Sequence, residues 1–205
     1  MTRCLQAPPP EGEPLDGSLV IEPSLNASFA RGDEQFERIF TLTDGLGPTF
    51  NQPSCETCHP GDGRGTPETN LTRFSIAGDL VPDLSGPQLQ DKSIPGTPAE
   101  VLPAGAETSV RMGPPVFGMG LIEGIPPEIL IALEDPDDLN GDGISGRVNW
   151  VEAADFVPSL ELGSGPGLVV GRFGRKSNVS SLLEQVVNAY QQDMGITSDY
   201  QPVET

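Results

Sequence analysis

Apolar positions in this chain form few regular patterns. Phe36, Ile39 and Phe40 recur at helical spacing behind Asp33, which predicts a short helix N-capped by that aspartate. Asp44-Gly45 and Gly47-Pro48 end the helix and open a loop into Phe50-Asn51-Gln52-Pro53. Over residues 60–115 almost nothing is periodic, and glycine or proline returns every few positions. Order resumes at Pro127, placed as an N1 proline, with an apolar stripe of Ile129, Leu130 and Leu133 ending near Asp135-Pro136. A short strand is expected over 147–151. The longest helix is expected after a cap at Ser177 or Asn178. It carries Leu182, Leu183, Val186, Val187 and Tyr190 on one side and closes at Gly195, a C′ glycine.

Composition explains the sparse pattern. The 205 residues include 22 prolines and 25 glycines, and aromatic residues make up only 5%. Helices should be short and few, joined by long loops, and core-filling side chains are scarce. A loop as long as 60–115 within a compact domain points to a wrapping role, with a large planar cofactor supplying core that the chain lacks. Residues 1–32, with Pro8-Pro9-Pro10, Pro14 and Pro23, read as an extended arm, and 33–205 as one domain.

Thirty acidic residues against 11 basic ones leave a net charge of −19. Such a surface repels nucleic acid and anionic lipid, so neither is an expected partner. A basic protein partner or a bound cation suits it better. No apolar run approaches the ~18 residues of a membrane span. Met1-Thr2-Arg3-Cys4 has no apolar stretch of a secretory signal, but Cys4 so near the start resembles an acylated lipoprotein cysteine and is the candidate lipid anchor.

The strongest chemical signal is Cys55-Glu56-Thr57-Cys58-His59. This spacing attaches a c-type haem: each thiol adds to a vinyl group, and the next residue offers its imidazole to the iron. A redox disulfide or half a zinc site is the competing reading. Zinc needs four N or S ligands, and Cys4 is the one cysteine left elsewhere. One covalent haem c with His59 as proximal ligand is therefore expected. With the single histidine used, the distal position falls to a methionine, a weaker oxygen ligand, water, or nothing. Met119 and Met112, in a proline-stiffened loop, are the distal candidates, with Met194 behind them. Arg64 and Arg111 are the candidate partners of the haem propionates.

A second signal lies in the acidic stretch 135–149. Asp138, Asn140 and Asp142 alternate and Gly143 follows at the sixth position, as in the first half of an EF-hand loop, with the Ile144 carbonyl next in line. The twelfth position is Asn149 rather than a glutamate, so a full EF-hand is not supported. Bound Ca²⁺ is the expectation, and a water-solvated Asx-rich turn the alternative.

Taken in order, the motifs form a succession. Thr41-Leu42-Thr43-Asp44-Gly45-Leu46-Gly47-Pro48 leads into the haem motif and Gly61-Asp62-Gly63-Arg64-Gly65. Gln88-Leu89-Gln90-Asp91-Lys92, Ile94-Pro95-Gly96 and Gly120-Leu121-Ile122-Glu123-Gly124-Ile125-Pro126 follow. Gly143-Ile144-Ser145-Gly146-Arg147, then Gly171-Arg172-Phe173-Gly174-Arg175-Lys176, precede the last helix. Over roughly residues 33–200 this series resembles the bacterial di-haem oxidoreductase family, described as peroxidases or thiol oxidoreductases. The resemblance implies a mainly α, cytochrome c-like fold, two haems and a periplasmic location. Family members continue into a second haem domain. With one CxxCH here, either a second chain supplies the partner haem or the domain serves as a one-haem electron carrier.

The leading expectation is a one-haem electron carrier, a subunit of a larger extracytoplasmic complex with a redox protein partner. The alternative is a peroxidase-like haem domain with an open distal site, where Glu123, Gln88 or Gln90 would handle peroxide protons. Glu123 is the weak catalytic candidate, and its competing role is a helix cap. A third reading gives the haem a purely structural role.

Overall fold

The computed structural model of the protein describes residues 23–76, 88–158 and 167–203. Cys4 and residues 1–22 of the expected arm lie outside the described residues. The chain divides into two compact units, Met1–Phe117 and Gly118–Thr205.

In the first unit, a 3₁₀ turn at Pro23–Leu25 runs into helix α1, Asn26–Glu37. The helix begins before Asp33 instead of after it. Pro23 opens the turn and no breaker follows, so helical backbone propagates through Gly32 and Asp33 despite their weak propensities. Non-helical backbone at Arg38 (φ −56°, ψ 125°) ends it. Ile39 is thereby exposed and Phe40 buried. A second 3₁₀ turn, Leu42–Asp44, is closed by Gly45 at φ 96°, in the left-handed region that glycine tolerates. Strand β1, Thr49–Phe50, pairs antiparallel with β3, Lys92–Ser93. Between them stand helix α2, Cys55–Cys58, and strand β2, Leu71–Ile76. Strand β2 pairs antiparallel with β4, Ala106–Arg111, in register from Leu71↔Arg111 to Ile76↔Ala106.

In the second unit, α3 spans Met119–Glu123 and α4 spans Pro127–Ile131, with Pro127 at the first helical turn as its position predicts. The stripe on α4 is not a core face: Ile129 is half exposed and Leu133 is 73% exposed. Strand β5, Trp150–Val151, falls inside the expected 147–151 and pairs antiparallel with β6, Val169–Val170. Helix α5, Leu182–Met194, starts at Ser181 rather than at Ser177 or Asn178. The reason is local. Ser181 Oγ accepts the Glu184 N–H at 3.2 Å, and the Glu184 carboxylate accepts the Ser180 N–H (3.1 Å) and hydroxyl (2.6 Å). Gly195 (φ 63°) ends α5 as expected, with Gly195 N–H on Gln191 O and Ile196 N–H on Tyr190 O.

The mainly α, cytochrome c-like expectation is corrected by this architecture. Among the described residues, five short α-helices share the chain with three two-stranded antiparallel sheets and much irregular backbone. The largest unforeseen element is the β2·β4 ladder, inside the stretch without periodicity. Its strands, Leu71-Thr72-Arg73-Phe74-Ser75-Ile76 and Ala106-Glu107-Thr108-Ser109-Val110-Arg111, alternate poorly. Their strand character comes from pairing across a long loop, a non-local term that local patterning does not carry.

The cores are uneven. The second unit buries Val157, Val169, Val170, Phe173, Val179, Val187 and Met194. In the first unit the buried apolar side chains among the described residues are Phe40, Leu46 and Cys58, and α1 buries none. Among the described residues no helix is long and apolar enough to cross a membrane.

Candidate haem site

Helix α2 presents the CxxCH residues. Ser54, extended and almost fully buried, caps it: its Oγ accepts the Thr57 N–H at 3.1 Å and lies 2.6 Å from Thr57 Oγ1. One turn of helix thus sets Cys55 and Cys58 three residues apart, and the His59 N–H closes on Cys55 O at 2.9 Å. Cys58 is buried and Cys55 half-buried. Helical geometry stops at His59 (φ −128°, ψ 62°), which releases the imidazole from the helix axis. The Glu56 carboxylate accepts the Gly61 N–H at 3.1 and 3.2 Å and ties down the following turn.

The His59 ring lies in a small enclosure of the first unit. The Phe36 ring of α1 packs at 6.4 Å between centroids, tilted by 46°. On another side the backbone of Gly113 reaches the ring edge, so close that a Cβ there would sit 2.8 Å from Cε1. Nδ1 is buried with no hydrogen-bond partner. Burial pushes the His59 pKa below its ordinary 6.5, against the opposing pull of the Gly63 and Pro114 backbone and the Glu56 charge. The imidazole is therefore neutral at pH 7, the form that ligates a metal.

These residues fit a covalently held haem. Two thiols stand one turn apart, a neutral imidazole follows them, and one of its buried nitrogens is unpartnered. The unit around them has little apolar core of its own, a shortage that a large planar apolar group matches.

The segments flanking the motif are also tied together. Asn51, buried, donates to Leu89 O (2.7 Å) and accepts from Gln88 Nε2 (2.8 Å), while Lys92 Nζ donates to Asn51 O (2.6 Å). Gln90 is almost fully buried, accepts the Thr49 hydroxyl through its side chain, and its N–H donates to Glu100 (2.6 Å).

A profile of the family described as di-haem oxidoreductase, putative peroxidase, matches residues 95–205. The chain belongs to that family. No curated protein and no solved structure matches it.

Membership makes this di-haem oxidoreductase chain one of a group of haem-binding redox proteins. The matched region starts beyond CxxCH and takes in β4, the loop at 111–119, the acidic loop and α5. The haem motif itself therefore stands on its own spacing and geometry.

The other expected site residues are distributed as follows. Arg64 is exposed and Arg111 half-buried, with Arg111 Nε 3.4 Å from Ser109 Oγ. Each lies within two residues of the crossing where Gly65 N–H donates to Gly113 O at 3.0 Å. Met112 is in the first unit beside that crossing, and Met119 opens α3 in the second. Met194 is buried on the α5 face that also buries Val187. Glu123 is a cap: its Oε1 accepts the Leu182 N–H at 2.7 Å, at the start of α5. Arg172, another basic residue of the motif series, donates to Ile122 O (3.0 Å) and Ile125 O (2.6 Å) and closes the end of α3.

In the acidic loop, the expected calcium donors accept backbone N–H groups. Asp138 accepts Gly143 N–H (3.1 and 3.2 Å), Asn140 accepts Asp142 N–H (2.9 Å), and Asp142 accepts Ile144 N–H (2.9 Å). Asp135 gathers the N–H groups of Leu139 and Asn140. Among the described residues no group of three or more His, Cys, Asp or Glu is placed to hold a metal ion.

Ser54, Phe36, Gly65 and Gly113 were not singled out by sequence reasoning. Serine directly before a Cys-led helix is a readable cap signal. The contacts of Phe36, Gly65 and Gly113 depend on chain segments meeting in space and leave no local mark.

Proposed function

We propose that this chain is a c-type cytochrome with one haem attached through Cys55 and Cys58 and His59 as an axial ligand. It passes single electrons as a subunit of a larger extracytoplasmic, periplasmic assembly. The observation that carries this reading is the capped CxxCH turn, which sets two thiols one turn apart and ends in a half-buried, neutral imidazole. Bound haem would supply a one-electron Fe(III)/Fe(II) couple. The chain's own part is to hold and shield it. Ser54 fixes the turn that spaces the thiols, Phe36 and Gly113 flank the imidazole, and Arg64 and Arg111 offer guanidinium groups for propionates. A methionine thioether, from Met119 or Met112, would complete the hold on the iron in this reading. Maturation of CxxCH haem outside the cytoplasm is the basis of the location, and the net charge of −19 favours a basic redox partner.

The test is haem retention. Protein produced with c-type haem maturation should keep its haem through acid–acetone extraction and give a pyridine haemochrome typical of two thioethers. Cys55→Ser and Cys58→Ser should each shift that spectrum to one thioether. Haem that extracts freely from the parent protein would defeat the reading.

The family's peroxidase description supports a second reading, an open iron site working with a partner haem. Its acid–base candidates have other bonds in this fold: Glu123 on Leu182 N–H, Gln88 on Asn51 and Gln90 with Thr49. A high-spin spectrum with peroxide turnover would favour it. A low-spin spectrum without turnover favours electron transfer.

Calcium at Asp138, Asn140, Asp142 and the Ile144 carbonyl also belongs to the proposal, supported by the alternation of oxygen donors. Calcium titration followed by melting should raise Tm in the parent and not in Asp138→Ala/Asp142→Ala.

A further inference from the structure

We propose that the backbone strap at residues 111–115, pinned by Gly65, is the seat that orients the His59 imidazole, with Gly113 its contact residue. The inference rests on the haem reading and deepens it.

The three heavy atoms nearest a Cβ built at Gly113 all belong to the His59 ring. A Cβ built there would lie 2.8 Å from Cε1, 3.3 Å from Nδ1 and 3.4 Å from Nε2 of His59. Gly113 has no positive φ, so backbone freedom does not account for its being glycine. Close approach does. Gly65 repeats the argument one layer away: a Cβ there would meet Cys58 O at 2.9 Å and Gly113 N at 3.0 Å, and its own N–H donates to Gly113 O at 3.0 Å. The Cys58 carbonyl, Gly65 and Gly113 thus stack backbone on backbone, a layer that any side chain would separate. Pro114 and Pro115 follow directly and stiffen the strap against yielding.

Gly113 and the Phe36 ring both pack against the imidazole, and the backbone of Gly63 and of Pro114, the next residue of the strap, also acts on it. Cε1 and Nε2 are bonded neighbours in a rigid ring, so a push on Cε1 turns the nitrogen that a c-type haem iron takes.

Gly113→Ala, Gly65→Ala and Gly32→Ala, whose added Cβ meets nothing within 4 Å, separate the seat from a general cost of adding a methyl. Each is loaded with haem, then scored by absorption in both oxidation states and by redox titration. Gly113→Ala and Gly65→Ala should keep covalent haem but show a raised high-spin fraction and a displaced midpoint, with Gly32→Ala superimposing on the parent. A Gly113→Ala protein with parental spectrum and midpoint overturns the seat. Should the glycine variants fail to fold, the parent still decides: a nuclear Overhauser cross-peak between the His59 Cε1 proton and the Gly113 α protons is expected, and its absence defeats the seat. The cross-peak can be read without haem, so failed haem attachment counts against the function alone.

Discussion

At the scale of single residues, hydrogen-bonded caps do much of the work of shaping the haem turn. Ser54 is nearly fully buried and its hydroxyl carries the Thr57 N–H, so Ser54→Ala should lower unfolding free energy by about 1 kcal/mol, measured by denaturant titration. It should also lower the yield of covalent haem, because the thiol spacing depends on that turn. Asp44 gives a pH signature. The Thr41 hydroxyl, then the Thr41 N–H and Arg38, hold its pKa below the ordinary 3.8. A carboxylate depressed in the folded state stabilises fully above its unfolded pKa and loses that contribution as pH falls through the folded value. Melting curves should therefore show Asp44→Asn less stable than the parent at pH 7, with the gap closing below about pH 4.

At the scale of elements, α5 is the best-terminated helix, and its two ends are separable by experiment. Glu123 caps it from α3, which is a structural use of the residue also considered for peroxide chemistry. Glu123→Ala should cost about 1 kcal/mol in unfolding while leaving the haem absorption spectrum unchanged. A spectral change with stability intact would restore the catalytic assignment. At the other end Gly195 sits at φ 63°, so Gly195→Ala should cost about 1 kcal/mol, read as a lowered urea midpoint. The β2·β4 ladder matters differently: it ends at Arg111, next to the strap that meets His59, so strand pairing delivers the strap to the ring.

At the scale of the whole molecule, charge and core are the governing facts. A net charge of −19 should make association with a basic redox partner fall steeply with ionic strength, on the order of tenfold or more between low and high salt. Stopped-flow electron transfer at several salt concentrations checks this, and a flat response would point to an apolar docking contact instead.

The same molecule shows what could be read without coordinates. Cys55, Cys58 and His59 were legible as a candidate haem motif because that signature is residue type at short spacing. The end of α5 at Gly195 and the start of α4 at Pro127 were legible for a similar reason: chain stereochemistry acts within a few residues. The start of α1, the cap at Ser181 and the half-exposed stripe on α4 were not, since each depends on which neighbours compete for the same backbone or surface. The largest miss, a mainly α expectation where short sheets also occur, has the same cause. Strands such as Lys92–Ser93 and Ala106–Arg111 carry weak local patterns and exist through partners far along the chain. By itself, then, the sequence determined the candidate haem motif, the charge and the loop-rich character, all properties of residue type and short spacing. Only tertiary structure decided that Gly65 and Gly113 close on His59, that Glu123 and the acidic loop hold backbone N–H groups, and where strands pair, because those outcomes are set by distances between segments that covalent order leaves open.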